Sequence, residues 1–382
     1  MSSKKRLAAV GVAVLAVLPI TGAAHAADTP QPADVQSAMA ILQAGMEQGL
    51  ADGFPGMIGM VKDGDSTQSV AVGNAEVSPQ VTADTDAQFR IGSLTKAFTS
   101  TVLLQLEAEG RLSLDDTVEK WLPGVVDSNG YDGSKITIRE LLNHTSGLPD
   151  YMTGSISTDY FLNLAPDATY TPQSLVESAL DSRAPVSTPG TTFAYANTNY
   201  VLAGMVIQAV TGESPGTEIT DRIITPLGLT HTEFPTTNQM TGDYLHGYSD
   251  LFLQTDVTAS NIDMFGSAGA IVSTLSDLST FEHTLLSGEL LPAKQQAELE
   301  TVVPAPSEGI GVYSGLGLFQ STLCSQTVWS YEGAVLGYRT FWISNADGTQ
   351  QVLIEGSEYH GSVNTTGNTD SDNTLQKAYC AL

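Results

Sequence analysis

Apolar positions along the chain fall first with helical spacing, then in short strand-like runs, then helically over a long middle stretch, and at last in short strand-like runs again. Pro32 to Leu50 reads as an amphipathic helix. Met57 to Lys62 and Ser69 to Gly73 form a hairpin around the turn Asp63-Gly64-Asp65. Helical patterns dominate from Ser93 to about Val210, broken by polar loops such as Asp127 to Ser134. Leu141 to Tyr151 is a helix end running into a turn, and Tyr200 to Val210 and Ile271 to Leu286 are strongly apolar helices. Short strands then return at Tyr313 to Gln320, Thr327 to Tyr331, Thr340 to Ser344 and Gln351 to Glu355. A loop follows from Ser362 to Asn373, and a helix near Asn373 to Ala381 closes the chain.

Strands at both ends around a helical middle predict an α/β fold: an antiparallel sheet flanked by helices, with a mostly helical insert. The sheet domain is expected from residues 33–92 and 265–382, and the helical domain from 93–264. The active site is expected at their junction.

The first residues stand apart. Lys4-Lys5-Arg6, an apolar run from Leu7 to Leu18 and the ending Ala24-His25-Ala26 have the layout of a secretory signal peptide over residues 1–26. The run is too short for a permanent membrane span, so the chain is expected to be secreted without a membrane anchor. The formal charge is −27; without the three basic residues of the leader it becomes −30, from 12 basic and 42 acidic residues. That surface repels phosphate backbones and argues against nucleic acid as a partner. The two cysteines, Cys324 and Cys380, are expected to form a disulfide between a strand and the C-terminal helix in an oxidising compartment.

Candidate chemistry centres on Phe89 to Ser100. A strand-like run meets Gly92-Ser93, and a helix follows whose apolar face includes Val102, Leu103, Leu106 and Ala108, stopped by Gly110. Ser93 lies at the positive end of that helix, with Lys96 one turn on. A hydroxyl and an amine so placed can make a Ser-Lys nucleophile. The spacing alone is cheap, since Ser2 and Lys5 share it. Tyr195-Ala196-Asn197 offers a proton relay and an orienting amide, though taken alone a capped helix start with a packed aromatic explains it better. Gly212-Glu213-Ser214-Pro215-Gly216 has the spacing of a nucleophile elbow, but it follows a helix, and Pro215 has no N–H for an oxyanion hole. Ser214 as N-cap with Pro215 at the first helical position fits better. Ser371-Asp372-Asn373 lies too late in the chain to be a Ser-Asp-Asn box. His144 sits at a turn and reads as structural. The histidines show no close metal-ligand spacing, so neither metal nor cofactor is expected.

Ser93-Leu94-Thr95-Lys96, Asn143 to Leu148, Tyr195-Ala196-Asn197, Pro226 to Leu229 and Ser267 to Ala270, in that order, resemble the serine β-lactamase and penicillin-binding protein family. The likeness is to the branch of class C β-lactamases and serine DD-carboxypeptidases, over nearly the whole chain after the leader. It implies an acyl-enzyme on Ser93, with Lys96 and Tyr195 sharing proton transfer at pKa values moved toward neutrality. Asn197 would hold Lys96 and the substrate amide, and the backbone N–H groups of Ser93 and Ala334 would form the oxyanion hole. β-Lactams are implied as acylating ligands, and small peptides, amides or esters, including peptidoglycan fragments, as substrates of a monomeric enzyme.

The family's third box departs from its usual Lys-Thr-Gly or His-x-Gly. Here it is Tyr331-Glu332-Gly333, followed by Ala334. The hydroxyls that hold a terminal carboxylate in DD-carboxypeptidases would be replaced by Glu332 and Ala334, and their Arg by Phe319 or Gln320. A glutamate about 4 Å from a substrate carboxylate costs roughly 4 kcal/mol at an effective dielectric near 20, about a thousandfold. The expectation is a hydrolase turned toward D-amino-acid amides, peptides or esters. The alternatives are a carboxypeptidase whose Glu332 turns away, a β-lactamase or esterase, and a penicillin-binding module without turnover.

Overall fold

The computed structural model describes residues 33–250, 253–358 and 365–382; the proposed leader lies outside them. Chain reversal at Gly64 pairs β1 (Gly56–Asp63) with β2 (Ser66–Glu76), and β2 continues to β3 (Val81–Thr82). Two short pairs lie apart: β4 (Phe89–Arg90) with β7 (Val272–Ser273), and β5 (Tyr248–Ser249) with β6 (Thr255–Asp256). The remaining strands are β8 (Val303–Pro304), β9 (Tyr313–Ser314), β10 (Phe319–Leu323), β11 (Gln326–Val335), β12 (Tyr338–Ser344) and β13 (Gln350–Gly356). The main sheet is antiparallel, in the order β3-β2-β1-β13-β12-β11-β10-β9-β8. β1 and β13 therefore close a seam between the two ends of the chain, with Met57 opposite Gly356.

Both faces of the central strands are buried, and their side chains alternate between two cores. Met57, Val61, Val352, Ile354 and Ile343 pack with Val35, Leu42 and Met46 of the Ala33–Asp52 helix and Leu375 of the Thr365–Tyr379 helix. Ile58, Met60, Leu353, Trp342 and Trp329 face the other way, toward the helical middle of the chain. A Cβ on Gly45 would lie 2.1 Å from the Thr374 side chain, so glycine there lets the two terminal helices approach closely.

Three sequence expectations need correction. Ile271 to Leu286 is not one helix: Val272 and Ser273 pair with β4, and the helix begins at Leu275 after Thr274, whose hydroxyl accepts from the Asp277 N–H. Tyr313 to Gln320 is two strands separated by a turn at Gly317, where φ is 90°. Most of Ser362 to Asn373 is helical rather than a loop, because the C-terminal helix begins at Thr365. Its polar composition hid a face on which Ser371 and Thr374 are buried against the sheet and the first helix. The elbow-like segment behaves as its chemistry required: Gly212 ends the Asn197–Thr211 helix at φ 84°, and Ser214 caps the next turn by accepting from the Thr217 N–H.

Candidate active site

β4 is held to Ile271 by the Ile91 N–H, and Gly92, at φ 52°, then turns the chain into a 3-10 turn over Gly92–Leu94. The Thr95–Ala108 helix follows at once, so Ser93 lies one turn before Lys96. The Lys96 side chain is wholly buried. Its Nζ lies 2.8 Å from Ser93 Oγ, 2.8 Å from Asn197 Oδ1 and 2.7 Å from the Ala268 carbonyl. Burial pushes its pKa from 10.5 down to about 7, against the opposing pull of Asp150. A neutral amine has two N–H donors and one lone pair. Asn197 and Ala268 accept the two donors, which leaves the lone pair for the Ser93 hydroxyl proton. That is the geometry of a general base.

Tyr195 donates to Ser93 Oγ at 2.7 Å. Its pKa moves upward rather than toward neutrality, because burial outweighs its hydrogen bond to Ser93. This corrects the sequence expectation and separates the two groups: Lys96 is able to take a proton near pH 7, and Tyr195 keeps one to give.

Asp150 supplies the orientation. Its Oδ2 accepts from both the backbone N–H and the side-chain amide of Asn197, each at 3.0 Å. The Asn197 carbonyl oxygen is thereby turned toward Lys96. Asp150 went unassigned in the sequence, although an Asn placed to orient a lysine requires an acceptor for its own amide. His144, with φ 60°, stacks on Tyr195 at 4.4 Å. Its Nδ1 faces the Ala196 N–H at 3.3 Å and the Asn199 amide at 3.1 Å, both donors, so it is an acceptor there. Burial, then the Lys96 charge, keep its pKa well below 6.5. It packs as a neutral support for Tyr195.

The third box runs along β11. Its partner β10 reaches only as far as Ser330, opposite Phe319, so Tyr331 to Ala334 extend beyond that pairing. A Cβ on Gly333 would lie 2.0 Å from the Ile91 carbonyl, and one on Gly92 2.7 Å from the Ala334 nitrogen. Glycine at both positions lets the serine turn and β11 meet, and Ser93 and Ala334 line one cavity of about 680 Å³.

Glu332 and Phe319 also line that cavity, with Phe319 on the wall where the resemblance would place an Arg. Arg339, which the sequence reading overlooked, donates to Glu332 at 2.9 Å and to Asp372 at 2.7 Å. The signal was a register count: the turn at Leu336-Gly337 pairs Ala334 with Arg339, putting the guanidinium diagonal to Glu332. Ser371-Asp372-Asn373 is no catalytic box, since Ser371 bonds within its own helix to the Gly367 carbonyl. Asp372 nevertheless lines the cavity, as does Glu308. Cys324 and Cys380 are joined in a disulfide, with Cys324 in the turn between β10 and β11. Among the described residues no three His, Cys, Asp or Glu side chains group as metal ligands.

Comparison with known proteins places this arrangement. A D-stereospecific amidohydrolase from Streptomyces sp. superposes with a TM-score of 0.81 at 38% identity, over 90% of this chain and 99% of that one. The D-amino acid amidase of Ochrobactrum anthropi SV3 follows with a TM-score of 0.77 at 25% identity, over 89% and 100%. A penicillin-binding protein of Bacillus subtilis strain 168 is 27% identical over 81% of this chain and 70% of its own length. Protein flp of Staphylococcus aureus is 35% identical over 50% of this chain, a match spanning 36% of flp itself. The β-lactamase family model matches residues 39–359. The chain belongs to the β-lactamase family, with the fold shared by serine β-lactamases and penicillin-binding proteins.

Proposed function

We propose that the protein is a serine hydrolase of D-amino-acid amides, peptides or esters, working through an acyl-enzyme on Ser93. The observation that carries this is the triple contact of Lys96 Nζ with Ser93, Asn197 and Ala268. Lys96 takes the Ser93 proton as Oγ bonds to the carbonyl carbon. The oxyanion is held by the N–H groups of Ser93 and Ala334. As the C–N bond breaks, Tyr195 gives its proton to the leaving nitrogen and is reprotonated from Lys96. Water then adds to the ester, with the base roles repeated, and the acid leaves Ser93.

The substrate class rests on charge. Glu332 does not turn on the substrate unscreened, because Arg339 pairs with it. Yet Arg339 also serves Asp372, and Glu308 lines the same cavity. Three carboxylates and one guanidinium leave the region net negative, and Arg339, 6% exposed, is not open to a substrate carboxylate. The names of the amidohydrolase and amidase neighbours agree with such a preference. Export after removal of residues 1–26 completes the proposal.

Intact-mass measurement after incubation with a penicillin tests the nucleophile: the expected adduct disappears in Ser93→Ala. Rates on acyl-D-Ala-D-Ala and on its C-terminal amide test the substrate class. The amide is expected to be faster by about tenfold or more; equal rates would reject that preference while leaving the acyl-enzyme in place.

A further inference from the structure

The carboxylate that the sequence singled out, Glu332, is committed to Arg339. Glu308 differs. It lies in the loop between β8 and β9, which the Ala305 N–H closes onto the Val312 carbonyl at 2.9 Å. Two successive turns shape that loop: the Glu308 N–H donates to Ala305, and the Val312 N–H donates to Gly309. Gly309 and Gly311, at φ 142° and 78°, flank Ile310.

Glu308 and Ile310 line the cavity that holds Ser93 and Tyr195. The Glu308 carboxylate accepts one hydrogen bond, from the Ser307 hydroxyl at 3.2 Å, and among the described residues no cation pairs with it. Its charge is also felt at Tyr195, whose pKa is held up chiefly by burial and last by Glu308. Glu308 stands exposed at the cavity rim, where partial desolvation, then the nearby Glu332, raise its pKa, a cost that a bound cation would relieve. Ile310 is fully exposed, at 106%, and the cavity it lines has apolar members in Phe265, Val312 and Phe319. An exposed isoleucine on a partly apolar cavity, two residues from a carboxylate that no described cation pairs, has the chemistry to receive an ammonium group beside an apolar side chain.

We propose that the β8–β9 loop sets specificity: Glu308 receives the free α-ammonium of the substrate, and Ile310 covers its apolar side chain. The inference rests on the amide-hydrolase reading above and names the part of the substrate that the site selects. It also assigns the selection to Glu308 rather than Glu332.

The test compares D-phenylalanine p-nitroanilide with its N-acetyl derivative. The wild type is expected to favour the free amine in kcat/KM by about a hundredfold, below the roughly thousandfold of a shielded pair because Glu308 is partly in water. In Glu308→Gln the ratio of the two specificity constants is expected to collapse toward one, and in Glu308→Lys to invert. A ratio that survives Glu308→Gln overturns the proposal, whether or not both rates fall in parallel. So does a wild type that treats the two anilides alike. Turnover of neither anilide, with penicillin still acylating Ser93, overturns the amide reading itself and this inference with it.

Discussion

Replacing Lys96 by Met is expected to abolish acylation and yet make the protein more stable at low pH. Lowering a lysine pKa from 10.5 to about 7 means that the folded state disfavours the ammonium by about 5 kcal/mol. Below pH 7 Lys96 is charged in both folded and unfolded chains, so the whole penalty bears on stability. Between pH 7 and 10.5 the unfolded chain alone keeps the proton, and wild-type stability rises with pH. By pH 10 the penalty has shrunk to about 1 kcal/mol. Met keeps the length of the stem and removes the charge, but it orphans the Asn197 oxygen and the Ala268 carbonyl that Nζ now serves. Two unsatisfied acceptors cost about 3 kcal/mol together. The net expectation is that Lys96→Met gains about 2 kcal/mol at pH 6 and loses about 2 kcal/mol at pH 10. Urea unfolding with the disulfide intact, at both pH values, measures the difference. A variant less stable than wild type at pH 6, or a difference that does not move with pH, would refute the argument from the buried amine.

Three further outcomes follow from the same structure. The acylation rate of the wild type should fall about tenfold per pH unit below pH 7, as Lys96 takes up its proton; Asp150→Asn should move that limb to lower pH, because Asp150 holds the Lys96 pKa up, and should lower kcat as Asn197 loses its orienting acceptor. A stopped-flow pH profile reads both effects. Opening the Cys324–Cys380 bridge, which spans 56 residues, should cost about 4 kcal/mol by release of chain entropy, seen as a lower urea midpoint for Cys324→Ser/Cys380→Ser.

What the chain's pattern revealed was whatever a single segment encodes. The short apolar run Val352-Leu353-Ile354 and the helical spacing around Tyr200 are local signals, and both elements are found in place. The serine and lysine were legible because three residues of one helical turn suffice to bring them together. Asp150 and Arg339 were not, since each acts through a partner on another element: Asp150 through Asn197, and Arg339 through Glu332 and Asp372. The Val272–Ser273 strand was hidden because its partners, β4 and the bridge at Glu233, lie far away in sequence. The direction of the Tyr195 shift depended on burial, which residue order does not display. The charge of Glu332 was visible at once; its neutralising neighbour needed the hairpin register.

The meeting of Gly92 and Gly333 bears on when activity can begin. Ser93 precedes Gly333 by 240 residues. At roughly 5–20 residues per second of synthesis, the serine turn leaves the ribosome about 10 to 50 s before the strand that carries Gly333 and Ala334. The nucleophile and its base can form early as neighbours on one helix. The cavity that Ser93 and Ala334 line cannot exist until β11 has docked, and the seam between β1 and β13 closes later still. Under the proposed mechanism a growing chain is thus chemically silent, and the order of its residues serves as the safety catch.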